Sequence, residues 1–202
     1  MTEPETRGFP ELKPVDAPPE LDRFVSAVRR LQDLAVSTNP PGDTWIAATE
    51  QIERACAELE QHVVADVHAP AGRATKLAGL GSPLLPPWTV TAYGADGVTM
   101  EGEFRRFHVG GNMAVHGGVI PLFYDWHFGM VVSAAGRPIS RTAYLHVEYR
   151  AVTPIDTPLI SRGRIERLDG RKAFLTATMT DPDGTVLSEA TGLMIKLLPH
   201  QP

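Results

Sequence analysis

A chain of 202 residues, 43% hydrophobic and 21% charged, has the apolar content for a folded core and the size of one ordinary domain with some extra chain. Its single cysteine, Cys56, excludes an intrachain disulfide framework and a cysteine-based zinc site. No apolar stretch is long and continuous enough to span a bilayer.

The formal net charge of −5 is uneven: residues 1–70 hold 6 basic and 13 acidic side chains, and residues 71–202 hold 13 and 11. That balance argues against a nucleic-acid partner, which needs a basic face, and leaves room for a local basic site in the C-terminal part.

Residues 1–19 are rich in proline and acid and are expected to form a mobile arm. They lack the apolar core of a secretory signal, so the expected location is the cytoplasm. Residues 20–84 read as a helical extension with a linker. Leu21, Phe24, Val28, Leu31 and Ala35 recur at helical steps and predict a helix over 21–36. The run Asn39-Pro40-Pro41-Gly42-Asp43 stops it. A second helix is expected over 45–67, with Ile52, Cys56, Leu59 and Val63 as its stripe, which makes an acidic helical hairpin. Glycines and prolines then mark 68–88 as a linker.

From there, within a domain taken as 85–202, the period changes to two. Strands are expected at 88–93 and 98–107 around Ala95-Asp96-Gly97, then at 142–152. Further strands at 159–168, 173–180 and 186–198 are joined by turns at Asp169-Gly170 and Asp181-Pro182-Asp183-Gly184. Tight turns make the sheet antiparallel. One helix, 118–134, interrupts the strands; it is apolar almost all round and so should be buried. The expected fold class is therefore α+β, an antiparallel sheet wrapped around one central helix.

Chemistry concentrates where the segment 110–118 runs into that helix. Gly117 and Gly118 place backbone N–H groups at a helix N-terminus, where they can polarise a carbonyl or hold an oxyanion. Asp125 is the one carboxylate of the helix; burial would raise its pKa and suit it to act as a general base. His127 and Tyr124 beside it read as structural. Gly118 and Asp125 share a helix face but lie about 10 Å apart along the axis. One substrate carbonyl cannot reach both in one chain, so cooperation between them implies a homodimer with sites across its interface.

Thr142 opens the next strand with a hydroxyl able to orient water. Arg162, Arg164, Arg167, Arg171 and Lys172 surround the Asp169-Gly170 turn and are suited to a phosphorylated carrier. Phe123, Trp126 and Phe128 are expected to line a slot for an acyl or aryl group. Plainer readings stand beside each: a tight glycine loop, a hydrogen-bonded structural Asp or one at the helix surface, an ordinary strand Thr and a solvated charged turn. The seven histidines show no metal-ligand spacing, and no nucleotide-binding glycine motif or G-x-S-x-G elbow is present.

The run Val115-His116-Gly117-Gly118 with Asp125, then 142–150, Gly170-Arg171-Lys172 and Asp183-Gly184, resembles the hotdog-fold acyl-CoA thioesterases of the PaaI type over about residues 85–198. The resemblance implies a hotdog fold and hydrolysis of an acyl-CoA or aryl-CoA thioester without a cofactor or metal. It implies Asp125 as general base or nucleophile, the Gly117 amide as the group polarising the carbonyl with Gly118 beside it, Thr142 as a water-positioning hydroxyl and His116 shaping the loop. Arg171 and Lys172 become candidate contacts for CoA. Where some relatives carry an Asn six residues before the His, this chain has Gly110, and Asn112 lies four before, the remaining polar candidate of the loop. A homodimer, or a tetramer formed as a dimer of dimers, is implied as well, and the helical extension is not part of the minimal domain. The competing readings are a non-catalytic acyl-CoA-binding protein and a hotdog hydratase or dehydratase acting on an enoyl-CoA.

Overall fold

A computed structural model describes residues 14–198. The N-terminal helices are α1 (Pro19–Ser37) and α2 (Gly42–Glu60). Pro19 opens α1 at a position whose N–H has no helical partner, and Pro40 and Pro41 separate the two helices. The second helix is shorter than expected: it ends at Glu60 rather than running through residue 67. The β-branched Val63 and Val64 that follow are solvent-exposed, so no packing offsets their poor helix propensity. No side chain of α2 is buried. Of the expected arm, residues 1–13 lie outside the described residues. Residues 14–18 run beside the linker, where the Val15 N–H donates to the Arg73 carbonyl at 3.0 Å.

The linker is folded. It carries short 3-10 turns at Asp66–His68 and Ala78–Gly81, and Gly79, Leu80 and Gly81 all adopt left-handed φ. The strands are β1 (Thr89–Gly94), β2 (Gly97–Gly102), β3 (Val109–Gly111), β4 (Ala114–Val115), β5 (Ser140–Tyr149), β6 (Leu159–Asp169), β7 (Lys172–Thr180) and β8 (Val186–Lys196). Six form one antiparallel sheet in the order β1-β2-β6-β7-β8-β5. The remaining two, β3 and β4, make a small hairpin within the segment that the sequence reads as a loop ahead of the central helix. Strand β2, expected to reach residue 107, stops at Gly102. There the backbone passes so close to Trp88 that a Cβ would sit 2.5 Å from the indole, and the chain leaves the sheet.

The central helix α3 (Val119–Ala134) lies across one face of the sheet and touches all six strands. Ile120, Phe123, Tyr124, His127, Phe128, Val131 and Val132 point into the core, at the three- and four-residue steps of one helical face. They meet Trp88, Met100, Leu159, Leu175, Met179 and Met194 from the strands. Close approach depends on absent side chains: a Cβ on Gly163 would lie 2.9 Å from the His127 ring, and one on Gly192 would lie 2.7 Å from the Phe128 ring. Each fully buried aromatic contributes about 1.5–3 kcal/mol through apolar burial. Among the described residues no helix is long and apolar enough to cross a membrane.

Candidate active site

The hairpin β3–β4 turns through Asn112 and Met113, both at positive φ, and delivers the chain to the head of α3. His116, Gly117 and Gly118 follow, all exposed on the single chain. The two glycine amides differ. The Gly118 N–H is not bare, as the sequence suggests, but donates to Nδ1 of its neighbour His116 at 3.0 Å. The Gly117 N–H makes no hydrogen bond among the described residues, so it is the free donor at the positive end of α3. The Gly117 carbonyl accepts from the Tyr149 hydroxyl at 2.7 Å, which fixes the plane of that peptide from the far end of β5.

Two turns into α3 stands Asp125. Of the two positions the sequence left open, buried or at the helix surface, it takes the exposed one on this chain. The physical reason is geometric: the sheet covers only one side of α3, and Asp125 falls on the other, beside the half-buried Leu122, Trp126, Gly129 and Met130. Its Oδ1 accepts from the Thr142 hydroxyl at 2.6 Å. Among the described residues Oδ2 has no hydrogen-bond partner. Strand β5 therefore holds both parts of the arrangement, Thr142 against the carboxylate at one end and Tyr149 against the glycine loop at the other.

Phe123 and Phe128 do not line a slot. Both are fully buried against the sheet, with the Phe123 ring 4.3 Å from that of Trp88. Of the three aromatics, only Trp126 reaches the open side of α3. His127 is fully buried between Ser161 Oγ at 3.0 Å and the Val98 carbonyl at 3.1 Å, and burial pushes its pKa down to about 4. The Tyr124 hydroxyl donates to the Ser188 carbonyl at 2.9 Å, and burial raises its pKa. Both are structural in this chain, in line with the sequence.

The basic turn lies at the same end of the sheet as Thr142. Thr142 and Ala173 both pair with Met194, and on the next rung Arg141 and Lys172 both pair with Ile195. Lys172 is thus two strand spacings, about 10 Å, from Arg141 in the backbone. The Arg171 guanidinium donates to the Lys196 carbonyl at 3.0 Å. Asn112 is exposed at the hairpin tip. Sequence reasoning missed Tyr149 as a loop support; its signal is an exposed aromatic closing the strand that begins at Thr142. It also missed Asp33 of α1 and its partner Arg105, which brace the turn leading into the hairpin.

Chemically, the described residues offer a carboxylate with one oxygen held by a hydroxyl, and an amide donor at a helix N-terminus. The carboxylate is on the open side of α3 and the amide at its N-terminal end.

A family model for the thioesterase superfamily matches residues 112–188. The acyl-coenzyme A thioesterase THEM4 of Rattus norvegicus is 34% identical over 89 residues, 44% of this chain and 38% of the relative. The protein of the same name from Mus musculus is 33% identical over the same length. The chain thus spans 38% of the length of these curated relatives. Among solved structures, a thioesterase superfamily protein superposes with a TM-score of 0.76 at 25% identity, covering 91% of this chain and 97% of that one, which takes in the N-terminal helices. A hypothetical thioesterase from Streptococcus pneumoniae, solved with coenzyme A, superposes with a TM-score of 0.51 at 18% identity over 54% of this chain. The antiparallel sheet around α3 is thus a hotdog fold, and its span 112–188 is similar to the thioesterase superfamily.

Proposed function

We propose that this protein hydrolyses an acyl-CoA or aryl-CoA thioester to the free acid and CoA, at two equivalent sites across a homodimer interface. The observation that carries this reading is the 2.6 Å bond from Thr142 to Asp125 on the open side of α3, the helix whose N-terminus carries the free Gly117 amide. The names of the curated relatives support the substrate class.

Thr142 fixes one oxygen of Asp125, so the other is free to take a proton from a water molecule. The water oxygen attacks the thioester carbonyl carbon. Negative charge then moves to the carbonyl oxygen, where the Gly117 N–H and the helix dipole stabilise it. Collapse breaks the carbon–sulfur bond, and the departing thiolate of CoA recovers the proton held by Asp125. Direct attack by Asp125 through an anhydride uses the same groups in two steps. His116 holds the Gly118 amide and so shapes the loop around its neighbour's free N–H. Arg171 and Lys172, with Asn112 at the hairpin tip, are the proposed contacts for the CoA portion.

In the dimer, Asp125 of one protomer works with Gly117 of its partner. The single chain supports this in two ways. Every residue of the proposed set is exposed. Among the described residues, the edge strand β5 pairs with β8 and no strand pairs with its other side.

A thiol-release assay over a panel of acyl- and aryl-CoA esters tests the reading. Wild type should release thiol, and Asp125→Asn should lower kcat by about 10²–10⁴-fold, the range general-base catalysis supplies. Near-normal turnover by Asp125→Asn would remove Asp125 from the mechanism. Absence of release on every ester would leave the acyl-CoA-binding alternative. Reversal of charge at Lys172 should raise KM for CoA esters with little change in kcat.

A further inference from the structure

We infer that Asp33, on the N-terminal helix α1, is a positioning residue for the Gly117 amide, acting through the 105–118 segment; this rests on the thioesterase reading for its catalytic consequence. Val25, Arg29 and Asp33 recur every four residues and share one face of α1. Val25 is buried. Arg29 donates to the carbonyls of Ala78 and Ser82, each at 3.0 Å, which seats α1 on the folded linker. One helical turn further on, Asp33 is buried although charged, at 9% exposure. Both of its oxygens are used. Oδ2 accepts from Arg105 Nε at 2.7 Å and lies 2.6 Å from Arg105 Nη2, while Oδ1 accepts the Phe107 backbone N–H at 3.1 Å.

The bonds continue toward the site. The Arg105 N–H donates to Nδ1 of His108 at 2.9 Å, closing the 3-10 turn Arg106–His108. Burial lowers the His108 pKa, which favours the neutral ring this bond requires. The His108 carbonyl accepts the His116 N–H at 2.7 Å, and His116 Nδ1 accepts the Gly118 N–H. Gly110 and His116 are in backbone contact so close that a Cβ on Gly110 would lie 2.8 Å from the His116 Cα. The opposite side of the hairpin is tied down separately, by Val115 N–H to the Thr153 carbonyl at 2.9 Å. A charged side chain therefore starts a continuous path of hydrogen bonds from α1 to the loop at the head of α3. A carboxylate is costly to bury without partners, and Asp33 has three donors. Its position, with two contacts on the turn that leads into the hairpin, is what assigns it to the loop rather than to the helix.

The test compares Asp33→Ala and Asp33→Asn with wild type. Asp33→Ala should lower kcat on the best CoA ester by about ten- to a hundredfold with KM within about twofold, because the misplaced donor acts on the transition state. Asp33→Asn keeps an oxygen for the Phe107 amide but turns an NH2 toward Arg105, so it should recover only part of that loss. Hydrogen exchange is read in parallel: amides of 105–118 should exchange at least about tenfold faster in Asp33→Ala, while those of β6, β7 and β8 keep their wild-type rates. Unchanged exchange over 105–118, or an effect confined to KM, overturns the inference, as does uniform acceleration across the whole sheet. Should wild type release no thiol from any ester, the functional reading fails, and the exchange result still decides whether Asp33 holds the loop.

Discussion

His127 shows how one side chain carries a chemistry that the fold suppresses. Buried between Ser161 and the Val98 carbonyl, it holds its pKa near 4 through desolvation, against about 6.5 for a free histidine. The unfolded chain therefore binds a proton more readily than the folded one between those values. Stability from this group is complete above about pH 6.5, is lost as pH falls, and is fully lost below about pH 4, a span worth on the order of 3 kcal/mol. Denaturation midpoints from pH 7 to pH 4 should fall accordingly, and His127→Gln should flatten the slope. A slope unchanged by the substitution would show that other groups set it. The structural role of His127 was legible from its position on an apolar helix. The exposure of Asp125 was not, because a helix apolar on every side reads as buried on every side, and only the one-sided sheet shows which face is open. The partner of Asp125 follows from that face. Thr142→Ala should lower kcat about tenfold or more with the melting temperature nearly unchanged, while Thr142→Ser retains activity; equal losses in both variants would point to packing by the methyl group instead.

At the scale of elements, helix and strand types were legible from periodicity, and boundaries failed where contacts decide them. The stripe Leu21, Phe24, Val28, Leu31 and Ala35 on α1 is a real helical pattern, yet Phe24 and Leu31 are exposed. The docked face is rotated toward Val25, Arg29 and Asp33, because this helix is held by charged groups reaching backbone carbonyls and amides as well as by apolar burial. Apolar periodicity has no sensitivity to such a face. The packing of α3 on the sheet is the converse case, where the decisive residues are glycines with no hydrophobic signal of their own. Gly192 lies on β8 beneath the Phe128 ring, and a methyl group there would meet it at 2.7 Å. Gly192→Ala should cost about 1–3 kcal/mol as the ring and strand shift apart. A change below a few tenths of a kcal/mol in denaturant unfolding would mean that the ring moves freely.

For the whole molecule, the proposed homodimer rests on a distance. Helical geometry separates the head of α3 from Asp125 by about 10 Å, too far for one carbonyl to meet both groups in one protomer. The proposed site residues are exposed on the single chain, and among the described residues no strand pairs with the outer side of β5. A mixing experiment decides between sites within and between chains. Asp125→Asn removes the base, and Gly117→Pro removes the amide hydrogen, so each homodimer is inactive. A mixed dimer assembled from the two has one site with both lesions and one with neither. After co-refolding in equal amounts, random pairing makes half of the dimers mixed, and thiol release should return to about one quarter of the wild-type rate. If each site is built within one chain, every site in the mixture carries one lesion and no activity returns. Circular dichroism of Gly117→Pro alone, matched to wild type, guards against a loop substitution that merely unfolds the chain.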